Sequence, residues 1–146
     1  KIISTPGGYF VIALLAPVVE EVVFRGAILR ALLSSMQSKW GAICISAALF
    51  ALIHFNPAQT PHAFLMGLLM GWLYMRTGSI VPGVVFHWAN NTVAYLIAVA
   101  YPGDETKLVD IFGGNETAVI MSVVFSLCIF IPALFQLNIW TKKRGR

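Results

Sequence analysis

Residues 6–33 read PGGYFVIALLAPVVEEVVFRGAILRALL, an apolar run with Glu20, Glu21 and Arg25 set in its middle. A bilayer core of about 30 Å asks for roughly 20 apolar residues per helix, and this stretch exceeds that length. An ionisable group at membrane depth costs about 2.5–3.5 kcal/mol on insertion scales. Three of them in one run require compensation inside a helix bundle. The run is expected to be a helix from Pro6 to Leu33 whose charges face other helices.

Four further apolar stretches follow. The second helix is expected from Trp40 to Phe55, stopped by Asn56-Pro57 because proline disfavours the α conformation in the residue before it. Thr60-Pro61 reads as an N-cap followed by a first-turn proline, opening a third helix that ends near Arg76. That helix carries Ala63, Gly67 and Gly71 at four-residue spacing, the small-residue stripe that lets membrane helices approach closely. A fourth helix is expected over Val81–Tyr101, after the Thr77-Gly78-Ser79 turn, and a fifth over Thr117–Trp140. The expected fold class is all-α, a polytopic membrane helix bundle of about five transmembrane helices, with residues 1–146 as a single transmembrane domain.

Composition agrees with this reading. Of 146 residues 58% are hydrophobic and 11% charged, with a mean hydropathy of +0.80. Soluble domains carry about 25% charged residues, so a water-soluble globule is not expected, and disorder is excluded by the wealth of aliphatic and aromatic side chains. The net charge is +4, with four of ten basic residues at Lys142, Lys143, Arg144 and Arg146. No basic face or aromatic platform accompanies them, so nucleic acid is not an expected partner. They read instead as a cytoplasmic flank. The Tyr101–Glu116 connection holds four acids (Asp104, Glu105, Asp110, Glu116) against Lys107, a net −3, and falls outside when the C-terminus is cytoplasmic. Arg76 and Lys39 then fall inside, as the positive-inside rule asks, and Lys1 is the contrary charge. Cys44 and Cys128 lie in apolar runs and fit no metal-ligand spacing.

Helical spacing separates the charged groups. Glu21 and Arg25 are four residues apart, share a face and can pair. Glu20 lies about 100° round a 3.6-residue helix from Glu21 and is expected to be the free carboxylate. His54 is expected in the last turn of the second helix, and His87 and Asn91 share one face of the fourth. Asn90 lies off that face with no assigned role, His62 reads as a solvated or interfacial residue, and Arg30 as a side chain reaching the cytoplasmic side. A carboxylate, two imidazoles and an amide on three apolar helices make a hydrolytic set. The carboxylate can take a proton from water, and imidazole and amide can donate to a developing oxyanion. GxSxG, SxxK, a paired intramembrane Asp and HExxH are all missing, so serine, aspartyl and the commonest zinc-peptidase routes have no candidate.

These residues resemble the CPBP intramembrane proteases, which include CAAX proteases of the Ras-converting type and bacteriocin-processing or immunity proteins. EExxxR is matched by Glu20-Glu21-Val22-Val23-Phe24-Arg25, FxxxH by Phe50-Ala51-Leu52-Ile53-His54 and HxxxN by His87-Trp88-Ala89-Asn90-Asn91, a motif core over residues 20–91. The resemblance implies an intramembrane endopeptidase acting on a membrane-associated, lipidated or CAAX-like substrate. In it Glu20 with His54 activates water, His87 with Asn91 forms the oxyanion hole, and Glu21 and Arg25 support the site. The family usually has further N-terminal helices, so the chain is expected to be the catalytic core of a larger protein.

No cofactor is expected. The alternative is zinc on Glu20, His54 and His87. The metal-free form is preferred because Asn91 suits an oxyanion rather than a metal, and no carboxylate is evident to orient either His ring. Expected partners are membrane lipid and a peptide or membrane-protein substrate, with the oligomeric state open. The expected location is the bacterial inner membrane. A non-catalytic immunity or scaffold protein is the competing class, and a small transporter a third, without the inverted repeat or broken helix pair that would support it.

Overall fold

The computed structural model describes Thr5, residues 7–102 and residues 107–144, the side chains of 142–144 excepted. Pro6, Lys1, Asp104, Glu105 and Arg146, on which parts of the topology reading rest, lie outside the described residues, as do the side chains of Lys142, Lys143 and Arg144. Every element among the described residues is helical. Two of the helices, Val81–Ala100 and Glu116–Thr141, are long and apolar enough to cross a membrane, against the five crossings expected.

The chain divides into two units, 1–95 and 96–146. The first begins with a helix over residues 10–35 built of four segments: π-helical Phe10–Leu15, then α1 (Ala16–Glu21), π-helical Val22–Leu29, then α2 (Arg30–Ser35). Pro17 gives one reason. It has no N–H to return to the carbonyl of Ala13 and its ring crowds that group, so a regular α-turn cannot close ahead of it. The consequence is a changed register. An α-helix turns in 3.6 residues and a π-helix in more, so their alternation keeps positions four apart in line.

That register explains which side chains are covered. Ala13, Pro17, Glu21, Arg25 and Leu29 form one fully buried column. The doublets Phe10-Val11, Leu14-Leu15, Val18-Val19 and Val22-Val23 form an exposed apolar face. Between them run Ile12, Ala16, Glu20, Phe24 and Ile28, mostly half-buried. A 100° step therefore describes this helix less well than a four-residue repeat, although Glu20 and Glu21 still face different directions.

The other helices of this unit are α3 (Lys39–Leu52), α4 (Thr60–Thr77) and the first part of α5 (Val81–Ala100). Ser38 caps α3, its hydroxyl accepting from the Gly41 N–H at 3.0 Å. At the other end α3 stops earlier than expected, at Leu52, and Phe55 takes a left-handed φ of 47° before Asn56-Pro57. His54 consequently sits just beyond the helix rather than in its last turn. The N-cap of α4 is Gln59, not Thr60, and Thr60 instead donates its hydroxyl to the Asn56 carbonyl. Gly78, with φ 68°, ends α4.

The small-residue stripe does what its spacing implies. Ala63, Gly67 and Gly71 are buried. A Cβ on Gly67 would lie 2.9 Å from Ala47 Cα and Cβ, so α3 and α4 touch backbone to backbone there. Around this contact Phe24, Phe50, Ala51, Ala63, Met66 and Met70 form one core cluster, and Leu29, Ala42 and Ile43 a second.

In the second unit a short helix, α6 (Leu108–Ile111), precedes α7 (Glu116–Arg144), where sequence alone predicts a plain connection before the last helix. Gly113 and Gly114, both at positive φ, make the turn between the two helices. Pro132 sits within α7, whose helix continues through it.

Candidate active site

Glu21 and Arg25 form the expected pair: Arg25 Nη1 donates to Glu21 Oε1 at 2.7 Å, with both side chains at most 1% exposed. Arg25 Nη2 donates to the Gly67 carbonyl at 3.1 Å, and the guanidinium lies 4.6 Å from the centre of the Phe50 ring. One arginine thus binds the first helix to α3 and α4. The carboxylate of Glu21 reaches the opposite way, to α5. A Cβ at Gly83 would stand 2.6 Å from Glu21 Oε2, so only glycine leaves room for it.

His87, one turn along α5 from Gly83, lies between the two glutamates. Its Nδ1 is 3.5 Å from Glu21 Oε1 and its Nε2 is 3.8 Å from Glu20 Oε2. These are charge contacts, longer than hydrogen bonds. Glu20 keeps 26% of its side chain exposed, while His87 is buried. Glu20 Oε2, Glu21 Oε2, Arg25 Nε and His87 Nδ1 are buried atoms without a hydrogen-bond partner. With Glu20, Glu21 and Arg25 charged, the group carries one net negative charge, and a proton on His87 brings it to zero.

His54 joins this group through an aromatic ring rather than a polar contact. Its Nδ1 lies 2.9 Å from the Phe50 carbonyl, a group that only accepts, so Nδ1 carries the hydrogen. In the neutral ring Nε2 is then bare and able to accept a proton. The Phe50 ring packs edge-on against His54 (5.0 Å), His87 (5.6 Å) and Phe24 (5.3 Å) as well as under Arg25. Phe50 is therefore the common wall of the site. Sequence spacing assigns it no role of its own, although its position one helical turn before His54 is the available signal.

Asn91 turns towards the π-helical stretch of the first helix and donates to the Ile12 carbonyl at 3.0 Å. Asn90, which spacing leaves without a role, bridges Asn91 Oδ1 at 3.3 Å and His62 Nε2 at 3.1 Å. Nearby, Trp88 Nε1 donates to the Tyr9 hydroxyl and Tyr9 meets Thr92, both at 3.2 Å, tying the start of the first helix to α5.

Beside the charged group lies an open apolar groove of about 570 Å³, lined by Phe24, Ile28, Leu49, Leu52, Ile53 and Phe55 among others. Phe24 and Ile28 continue the column of Glu20, and Ile53 and Phe55 flank His54. Its walls thus come from the same stretches of chain as Glu20 and His54, although neither of those side chains lines it.

The donor types that zinc would use are present in Glu20, His54 and His87. Among the described residues, however, no three His, Cys, Asp or Glu side chains gather into a group that could hold a metal ion. Sequence spacing does not reveal that Glu21 Oε1 stands 3.5 Å from His87 Nδ1, a charge contact without a hydrogen bond.

The structure thus brings Glu20, Glu21, Arg25 and His87 into one cluster, attaches His54 by way of Phe50, and sends Asn91 to the first helix. No curated protein and no solved structure matches the chain. The family model of type II CAAX prenyl endopeptidases, Rce1-like, matches residues 3–93. The chain belongs to this Rce1-like family, and with it to the CAAX-type intramembrane proteases.

Proposed function

We propose that the protein is a metal-free intramembrane endopeptidase that uses Glu20 to activate water against a peptide bond near the C-terminus of a lipidated, CAAX-like substrate. The observation that carries this is the different state of adjacent carboxylates: Glu21 is fully buried and engaged by Arg25, while Glu20 keeps 26% of its side chain exposed and lies 3.8 Å from His87. Glu20, assisted by the bare Nε2 of His54, takes a proton from water as its oxygen adds to the scissile carbonyl carbon. His87 and Asn91 donate to the resulting oxyanion. Collapse breaks the C–N bond, and Glu20 returns the proton to the leaving amine. Glu21 holds the His87 ring, and Arg25 holds Glu21.

The apolar groove lined by Phe24, Ile28, Ile53 and Phe55 takes the substrate's hydrocarbon chain, with membrane lipid around the helices. The charge distribution supports a cytoplasmic Lys142–Arg146 end. The test is cleavage of a farnesylated CAAX peptide, alongside an unbiased peptide library, by wild type and Glu20→Ala in liposomes with and without a strong chelator. Cleavage that survives the chelator and disappears in a folded Glu20→Ala protein is expected. Full activity in that variant overturns the role of Glu20, and loss on chelation overturns the metal-free mechanism.

A further inference from the structure

The geometry points to His62 and Asn90 as positioning residues that fix the orientation of the Asn91 amide. This rests on the proposed role of Asn91 as an oxyanion donor and extends it to two side chains outside the three motifs' assigned roles. The direction of each bond follows from the one before it. The Ile12 carbonyl only accepts, so Asn91 presents its Nδ2 there and its Oδ1 elsewhere. Asn91 Oδ1 accepts from Asn90 Nδ2 at 3.3 Å. That leaves Asn90 Oδ1 facing His62 Nε2 at 3.1 Å, so the imidazole must donate from Nε2.

The chain therefore runs one way, from His62 at the start of α4, through Asn90 and Asn91 on α5, to the backbone of the first helix. An asparagine amide can turn over and exchange its oxygen and nitrogen at little steric cost. Inversion of Asn91 would put its oxygen against the Ile12 carbonyl and its nitrogen against the Asn90 amide, two like-group clashes. It would also point an acceptor where an oxyanion needs a donor. With the chain intact, one Asn91 N–H is bound to Ile12 and the second keeps a fixed direction. The Ile12 carbonyl is available because the residue five positions on is Pro17, which has no N–H, while the Ala16 N–H goes to the Val11 carbonyl.

Two readings test this. In ¹⁵N-asparagine-labelled protein in detergent, the side-chain amide signals of Asn91 are assigned by their loss in Asn91→Ala. His62→Leu is expected to shift or broaden them, and His62→Gln, whose amide can still donate, to restore them. Unchanged Asn91 signals in a folded His62→Leu protein overturn the relay. With the farnesylated CAAX peptide, His62→Leu is expected to lower kcat about 10-fold with KM unchanged, as misplacing a catalytic group does. His62→Gln recovers most of the rate. In an Asn91→Ala background, His62→Leu has no further effect, because its action passes through Asn91. A loss of the same size, about 10-fold, in that background overturns the relay. If Asn91→Ala alone cleaves at the wild-type rate, the oxyanion role fails, while the amide signals still decide whether His62 orients the side chain.

Discussion

Ala13, Pro17, Glu21, Arg25 and Leu29 are buried along the whole first helix, whereas Ile12, Ala16 and Glu20, one residue earlier in each case, stay half-open. At one point each column carries a glutamate. In the buried column the carboxylate is met by Arg25 and wedged against Gly83. In the neighbouring column it lies 3.8 Å from His87 with no hydrogen bond to it. Adjacent identical residues are thereby divided into one that holds helices together and one left available for chemistry, and the four-residue register of mixed α and π turns keeps the division along the helix.

The sharpest way to break this comparison is to exchange its two members. Glu20→Gln is expected to lower peptide cleavage about 10³-fold, the scale of a lost general base, with its unfolding transition near that of wild type. Glu21→Gln reverses the pattern. It removes the carboxylate that Arg25 directly pairs with, a loss of about 3–5 kcal/mol when a buried pair is broken, and the loss is read as a lowered unfolding transition in detergent. Equal instability in both variants would erase the distinction between the columns.

Next in size is Gly83→Ala. Its methyl would meet Glu21 Oε2 at 2.6 Å, the end of a side chain that Arg25 holds through Oε1 and that can move aside only by disturbing that pair. Overpacking of this kind costs about 1–3 kcal/mol, and here it also displaces the carboxylate that faces His87. Gly83→Ala combined with Glu21→Ala removes the clash, so the pair is expected to be less destabilising than the sum of the singles. Strict additivity would show that Gly83 and Glu21 do not share the contact.

Much of this was legible in the sequence for simple reasons. Apolar length and the prolines located the long helices, and four-residue spacing paired Glu21 with Arg25 and put His87 and Asn91 on one helix. What stayed hidden depends on contacts between distant segments or on departures from regular geometry. Glu21 meets His87 across 66 positions, a contact that no local period encodes. The helix end at Leu52, three residues before the expected Phe55, places His54 outside α3 and changes what its ring can cap. The doublets FV, LL, VV and VV were visible at 10–23, but their four-residue repeat has meaning only once the helix is known to widen beyond 3.6 residues per turn. Phe50 was hidden differently: its motif named it, but its contacts with Phe24, Arg25, His54 and His87 belong to the packing.

The smallest expected effect concerns the groove that continues the column of Glu20. Leu49 lines it and is 41% exposed, so a larger side chain there can enter the groove without first displacing the core. Leu49→Trp is expected to raise KM for a farnesylated peptide several-fold, in line with the roughly 1–3 kcal/mol that hydrophobic pockets discriminate, and to leave kcat near its original value. The same variant should handle a lipid-free peptide of identical sequence like wild type, because that substrate has nothing to place in the groove. An equal loss for both peptides would mean that the introduced indole disturbs Phe50 and the charged cluster behind it. An unchanged KM for both would mean that the hydrocarbon chain lies elsewhere and that the open column serves Glu20 alone.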